Sequence, residues 1–245
     1  MKKRKIEIMD TTLRDGEQTS GMSFSASEKL TISKLLIEEL KIDRIEVASA
    51  RVSKGEFKAV KNITNWANLN GHLNKIEILT FLDNGISLEW LLKTGAKVQN
   101  LLTKGSLNHL KHQIKKTPKE HFSEIEKSIS LAKKQNINTN VYLEDWSNGM
   151  KNSKDYVFKY LDFLTNQEVE RILLPDTLGI LSPNETFSFL SEIIIKYPNT
   201  HFDFHAHNDY DLSVSNVIES LKAGCHGLHL TVNGMGERAG NAPMA

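Results

Sequence analysis

Short runs of β-branched and other apolar residues alternate with longer amphipathic segments along the whole chain. The runs typical of strands lie at 6–12, 44–49, 75–81, 97–103, 138–144, 171–177, 201–207 and 227–233. Because a helical segment separates each strand from the next, the pattern predicts parallel strands. Eight parallel strands favour one α/β domain over residues 1–245, a closed (β/α)8 TIM barrel.

Helix-start signals support the segments between the strands. Ser25 and Glu28 have the spacing of a capping box, and Ser182 is followed by Pro183 and Glu185 in the pattern of an N-terminal cap. A doubly wound open sheet is the alternative, but DTTLRDGEQ follows the first strand in place of a Gly-rich phosphate-binding turn. Only GMGERAGNAPMA follows the eighth strand, so we expect a barrel truncated before its eighth helix.

Composition limits the classes of partner. The chain has 245 residues, with 31 basic and 30 acidic side chains, so no net field would attract nucleic acid or an anionic membrane surface. Cys225 is the only cysteine, which excludes an intramolecular disulfide and a thiolate-rich zinc site. No apolar run has the length of a membrane span, and the basic start precedes no signal-peptide core. We therefore expect a cytoplasmic protein that binds a small molecule.

Polar residues collect at the predicted carboxyl ends of the strands, where barrels of this kind place their active sites. These residues are Arg14 and Asp15, Glu46, Glu144 and Asp145, Asp176 and Thr177, His205 and His207, and Asn233 and Glu237.

The pair His205 and His207 is a candidate metal site. Alternation along a strand places both imidazoles on one face. Asp15 follows the first strand and lies in an adjacent region, because strands seven, eight and one are neighbours in a closed barrel. One carboxylate and two imidazoles leave coordination positions open for a substrate and suit zinc, manganese or cobalt, with magnesium also possible. Alternatively, each histidine caps a loop or bonds a backbone carbonyl. The other histidines considered, His72, His109, His112, His121 and His201, are expected to be surface or packing residues.

Arg14 and Glu144 are candidates for chemistry beside that site. The Arg14 guanidinium can hold a carboxylate or stabilise negative charge that develops on a substrate oxygen, or it can form an ion pair with Asp15 or Glu46. Glu144 is a candidate general base, or alternatively a group that orients a ligand or a water molecule.

Three motifs carry a resemblance to a known family. DTTLRDGEQ with Lys29 eleven residues after Gln18, then HAHND, then NGMGERAGN resemble the signatures of the α-isopropylmalate, homocitrate and citramalate synthases, the acyl-transferring branch of the DRE-TIM metallolyases. The resemblance covers nearly the whole chain. It implies a barrel that binds a divalent metal and condenses acetyl-CoA with an α-keto acid before hydrolysing the thioester, and a homodimer when the chain is full length. The C-terminal subdomains and regulatory domain of such synthases are expected to be absent from this chain.

The resemblance also implies roles for individual residues. Asp15, His205 and His207 correspond to metal ligands, with Asn241 nearby or in the coordination sphere. Arg14 and Thr177 would contact the keto acid.

Within the family, the residues around the predicted pocket resemble citramalate synthase. Asp211 stands where isopropylmalate-type sequences usually have glycine, and Tyr142 where larger-substrate members tend to have a small residue. Tyr142, Leu79 and Leu102 would form a small apolar pocket that suits the methyl group of pyruvate, or they are barrel packing.

Other functions stay open. A 2-isopropylmalate or homocitrate synthase would need a different pocket, and a truncated barrel could be non-catalytic or depend on a partner. A hydroxymethylglutaryl-CoA lyase resembles a different signature, with a catalytic cysteine in the loop after strand eight, where this chain has Met235 and no cysteine.

Overall fold

The structure is a computed structural model that describes residues 5–244. Eight strands form one closed parallel barrel in sequential order, which confirms the predicted fold. The strands are β1 Glu7–Asp10, β2 Arg44–Ser49, β3 Ile76–Phe81, β4 Val98–Lys104, β5 Asn138–Glu144, β6 Arg171–Asp176, β7 Phe202–Ala206 and β8 Gly227–Leu230. The helices are α1 Ala26–Lys34, α2 Lys54–Leu69, α3 Ile86–Thr94, α4 Pro118–Lys134, α5 Trp146–Asn152, α6 Lys154–Leu164, α7 Pro183–Lys196 and α8 Ser213–Ala223.

Pairing of β1 with β8 closes the barrel. Glu7 pairs with Gly227 and Asp10 with Leu230, while the opposite edge of β1 pairs with β2. Alternate side chains point outward and pack under the helices, such as Phe202 and Phe204 of β7, both fully buried. The inward face carries many polar groups, which include Arg44, Glu77 and Asp203 at no more than 3% exposure.

The predicted helix caps are present. Ser25 and Ser182 each accept a hydrogen bond from the backbone N–H three residues on, and Glu28 and Glu185 complete the two capping boxes. One feature without a sequence signal is a π-helical turn, Leu35–Glu39, that continues α1.

The first and last strands are shorter than predicted. β1 ends at Asp10 because the carbonyl of Thr11 accepts hydrogen bonds from the N–H groups of Arg14, Asp15 and Gly16, which turns the chain at once. After β8 the described chain forms a 3₁₀ turn, Val232–Gly234, and two isolated bridges. None of the helices within residues 5–244 combines the length and apolar character needed to cross a bilayer.

Candidate functional site

The three sequence motifs meet at the carboxyl ends of the strands. Thr19, directly after the first motif, exchanges hydrogen bonds with the backbone of Gly236 in the third, at 2.9 and 3.1 Å. The N–H of Asn208 in the second motif donates to the carbonyl of Gly240 at 2.9 Å. Arg238 pairs with Asp209 at 2.7 Å. Segments far apart in sequence therefore form one side of the barrel mouth.

Asp15, His205 and His207 converge within this region. Asp15 Oδ2 lies 3.3 Å from His205 Nε2 and 3.8 Å from His207 Nε2, and the two imidazole nitrogens are 3.3 Å apart. The side chains are 1%, 2% and 6% exposed, respectively. Within residues 5–244 they are the one group of histidine, cysteine and carboxylate side chains close enough to share a metal ion.

Two of the three spacings, both 3.3 Å, have the length that ligands of one divalent cation show, and the third, from Asp15 to His207, is longer at 3.8 Å. Nitrogen and oxygen ligands about 2.1 Å from one ion lie roughly 3.0 to 3.4 Å apart in octahedral or tetrahedral geometry. Burial, together with the neighbouring His205, lowers the pKa of His207 to about 3, so its imidazole is neutral, as a ligand must be. Although burial acts to raise it, Arg14 and His205 hold the pKa of Asp15 well below its usual value. The residues therefore fit the metal that the motifs imply.

Asn241 lies beside this set. Its Nδ2 donates to the carbonyl of Met235 at 3.1 Å, while its buried Oδ1 has no hydrogen-bond partner among the described residues. Gly236 permits the approach, because a Cβ there would lie 2.1 Å from Asn241 Nδ2 and 3.2 Å from Asp15 Oδ1. An unpartnered amide oxygen at this place suits an additional metal ligand.

A cavity of about 290 Å³ opens next to the metal-ligand set, at the small end of the range for ligand pockets. Among its walls are ten residues singled out from the sequence: Arg14, Asp15, Leu79, Leu102, Tyr142, Glu144, Thr177, His205, His207 and Glu237. Tyr142, Leu79 and Leu102 form an apolar side of the cavity, as the hypothesis of a small pocket requires.

Arg14 forms both of the ion pairs considered for it. Its Nε lies 2.5 Å from Glu46 Oε2 and its Nη1 lies 3.0 Å from Asp15 Oδ2. Glu46 in turn accepts from Asn100 at 2.7 Å. These bonds fix the guanidinium at the wall of the cavity, so its ion pairs do not exclude contact with a substrate anion.

Glu144 stands at the opposite wall beside basic groups. It pairs with Lys104, and its Oε1 lies 3.8 Å from Nδ1 of His109. His109 also lies 3.5 Å from the Asp145 carboxylate. The backbone N–H of Asp145 donates to the hydroxyl of Thr177 at 2.8 Å, which orients that hydroxyl at the cavity.

Several sequence interpretations need correction. His109, expected to be a surface or packing residue, lies between two carboxylates, one of which, Glu144, lines the cavity. Asp176 serves its loop instead of the cavity: its carboxylate accepts from the N–H groups of Ile180 and Leu181 at 3.1 and 3.0 Å. Asn233 lies in the turn after β8 with a positive φ of 54° and does not line the cavity.

Two further residues were missed. Lys104 follows Leu102 on β4 at the spacing that puts both on one face, and β4–β5 register places it opposite Glu144. His229 follows Gly227 by two on β8 and contacts Tyr142 from below. Strand alternation identifies the faces of both residues, but their partners depend on the closed barrel.

A (β/α)8 barrel with a carboxylate and two imidazoles at the carboxyl ends of its strands defines a TIM-barrel protein with a candidate metal-ligand triad. The HMGL-like family model matches residues 5–245. The chain belongs to this family, which confirms the resemblance carried by the three motifs.

Individual relatives agree with that assignment. The chain is 32% identical over 243 residues to the 2-isopropylmalate synthase of Sulfolobus acidocaldarius and covers 60% of it, using 98% of its own length. It is 32% identical over 240 residues to (R)-citramalate synthase CimA of Methanocaldococcus jannaschii, with 98% of this chain and 47% of that protein covered. The Bacillus subtilis HMG-CoA lyase structure matches with a TM-score of 0.76 at 20% identity, over 98% of this chain and 83% of that one. The lyase likeness concerns the fold alone.

Proposed function

We propose that this protein catalyses a metal-dependent Claisen-type condensation of acetyl-CoA with an α-keto acid, and that the keto acid is pyruvate, which gives citramalate. One observation carries the proposal: the metal-ligand triad, a fixed guanidinium and a carboxylate surround the same small cavity. Sequence similarity to a 2-isopropylmalate synthase and to a citramalate synthase supports this class of reaction.

Asp15, His205 and His207 would hold the divalent metal, with Asn241 as a further ligand. Manganese, zinc, cobalt or magnesium bound there would supply Lewis-acid polarisation of the keto acid's ketone. Arg14 stabilises the negative charge that develops on the ketone oxygen, since its side chain is held at the cavity wall by Glu46. The hydroxyl of Thr177 faces the same cavity and would orient the keto acid.

Glu144 removes a proton from the methyl group of acetyl-CoA, directly or through a water molecule. The methyl carbon then forms a bond to the ketone carbon, and the ketone oxygen takes the electron pair of its π bond and afterwards a proton. Water cleaves the thioester, which releases the CoA thiol and the new carboxylate. His109 beside Glu144 has a ring nitrogen that can accept the proton from that carboxylate, whereas the Lys104 ammonium can only donate a hydrogen bond to it.

The apolar wall supports pyruvate over larger keto acids. Leu79 and Tyr142 are 6% and 3% exposed and Leu102 packs against them, so these side chains fill the space that a branched substrate would need. One methylene is worth only about 1 to 3 kcal/mol of discrimination, but a branched chain against a filled wall meets steric overlap. α-Ketoglutarate would bring a second carboxylate to this apolar wall.

The test is release of free thiol from acetyl-CoA with pyruvate, α-ketoisovalerate or α-ketoglutarate. We expect the highest kcat/KM with pyruvate; preference for α-ketoisovalerate would make the protein a 2-isopropylmalate synthase, and preference for α-ketoglutarate a homocitrate synthase. Glu144→Gln should lower kcat by about 10²- to 10⁴-fold, as loss of a general base does. Glu126→Gln, on the exposed face of α4, is the matched control and should retain the wild-type rate. No thiol release with any keto acid would contradict the proposal.

A further inference from the structure

Below the apolar wall of the cavity, three buried polar side chains form a continuous chain across the barrel. The Tyr142 hydroxyl lies 3.0 Å from His229 Nδ1, and His229 Nε2 lies 3.1 Å from Asp203 Oδ2. They come from β5, β8 and β7 and are 3%, 1% and 0% exposed, respectively. The condensation described above uses neither His229 nor Asp203.

The charges around this chain define the direction of its hydrogen bonds. Arg44 Nη2 lies 2.5 Å from Asp203 Oδ2, and His201 Nε2 lies 2.8 Å from Oδ1. The Asp203 carboxylate is therefore surrounded by donor groups and serves as their acceptor. His229 Nε2 faces this carboxylate, and its Nδ1 faces the Tyr142 hydroxyl.

A neutral imidazole donates from one nitrogen and accepts at the other, whereas a carboxylate only accepts. His229 therefore donates from Nε2 to Asp203, and its Nδ1 accepts the hydroxyl hydrogen of Tyr142. The Tyr142 hydroxyl is thus directed towards the barrel interior, and the ring forms the wall. Edge-on contacts of the ring with His205 and His229, at centroid distances of 6.3 and 5.6 Å, restrict its rotation further.

The space for this arrangement depends on a residue without a side chain. A Cβ at Gly227 would lie 2.1 Å from Asp203 Oδ1 and 2.4 Å from its Cγ. Gly227 and His229 occupy the same inward face of β8. The strand therefore supplies both the imidazole of His229 and, at Gly227, the space that the Asp203 carboxylate occupies.

We propose that His229 and Asp203 are positioning residues that hold Tyr142 as a fixed wall of the keto-acid pocket and thereby restrict it to α-keto acids with a small apolar side chain. This inference rests on the proposed function. A tyrosine ring without this anchor can rotate and make room for a branched side chain, so loss of the anchor changes the choice of substrate as well as the rate.

The test compares His229→Phe, Tyr142→Phe and the double variant in the purified protein. His229→Phe keeps a ring but removes both hydrogen bonds. Tyr142→Phe removes the bond between Tyr142 and His229 from the other end and leaves the buried charges in place. It therefore replaces His229→Phe as the test if that variant does not fold. Matched controls are His121→Phe and Tyr160→Phe, which remove buried hydrogen bonds on the outer side of the barrel. The readouts are the ratio of kcat/KM for pyruvate to that for α-ketoisovalerate, and the ratio of their dissociation constants by calorimetry with Mn²⁺ present.

We expect His229→Phe to reduce the preference for pyruvate about tenfold, the scale of one lost steric contact. The double variant should reduce it no further than the stronger single variant, and the controls should keep the wild-type ratio. An unchanged ratio in a folded His229→Phe or Tyr142→Phe protein, or effects that multiply in the double variant, would overturn the proposal. If the wild type releases no thiol, the proposed function fails, and the ratio of dissociation constants alone decides this inference. Failure of the wild type to bind either keto acid would overturn this inference as well.

Discussion

Acidification is expected to destabilise the fold through His121, a fully buried residue of α4. Its Nε2 accepts a hydrogen bond from the backbone N–H of Lys104 at 3.3 Å, and its Nδ1 lies 3.1 Å from the Tyr156 hydroxyl. That hydroxyl donates to the Lys104 carbonyl at 2.8 Å, so Nδ1 donates to it in turn. A second proton on the ring would remove the acceptor for Lys104.

The direction and size of the effect follow from the pKa. Burial, with the charges of Lys116 and Lys104, lowers the pKa of His121 from 6.5 to about 4. Between these values the unfolded chain binds more protons than the folded one, so the stability is fully present above pH 6.5 and is lost as the pH falls towards 4. Linkage gives a loss of about 2 kcal/mol between pH 7.5 and pH 5.

Urea unfolding of the wild type and His121→Phe at pH 7.5 and 5 measures this contribution. The variant is less stable at pH 7.5 because Lys104 N–H and the Tyr156 hydroxyl lose their partner, but its stability carries no proton linkage at this position. The gap between the two free energies of unfolding should therefore narrow by about 2 kcal/mol at pH 5. Other titrating groups are common to both proteins and cancel. If the free energies of unfolding of the wild type and the variant changed equally between pH 7.5 and 5, the environment of His121 would not be holding its imidazole neutral.

Three further outcomes are expected. His207→Ala should leave the dialysed protein without bound divalent metal by elemental analysis, whereas the wild type retains about one equivalent per chain; equal metal content would remove this residue from the ligand set. Gly236→Ala should raise the Kd for Mn²⁺ about tenfold, because its Cβ displaces Asn241. Gly55→Ala, whose Cβ would meet only a hydroxyl at 3.4 Å, should not change that Kd. Ser182→Ala should lower the free energy of unfolding by about 1 kcal/mol, measured in urea, because α7 loses its N-terminal cap; no change would mean that water replaces the cap.

The barrel and the convergence of the triad were accessible from the sequence for a geometric reason. Alternation along β7 puts His205 and His207 on one face, and every strand of a parallel barrel ends at the same rim. Asp15 joins them because β1 neighbours β8, a consequence of closure alone. Tyr142 reaches the cavity by the same alternation on β5.

The remaining contacts depend on register and irregular turns, which single-residue patterns do not contain. Lys104 meets Glu144 only because β4 and β5 pair in one particular register. His109 reaches Glu144 and Asp145 from the start of a π-helical turn, His109–Gln113, which has no compositional signal. The early end of β1 likewise depends on one carbonyl, that of Thr11, as the acceptor of three N–H groups.

Closure of β1 on β8 also has a consequence for biosynthesis. The N–H of Val232 bonds to the side chain of Thr12 across 220 residues, so the first strand emerges from the ribosome long before its partner exists. Since chains are synthesised from the N-terminus, β1 keeps an unpaired edge, and Asp15 stays apart from both histidines until β8 has been translated. A metal ion held by the proposed ligands would therefore bind after barrel closure, and its presence would report that the newly made chain has completed its ring.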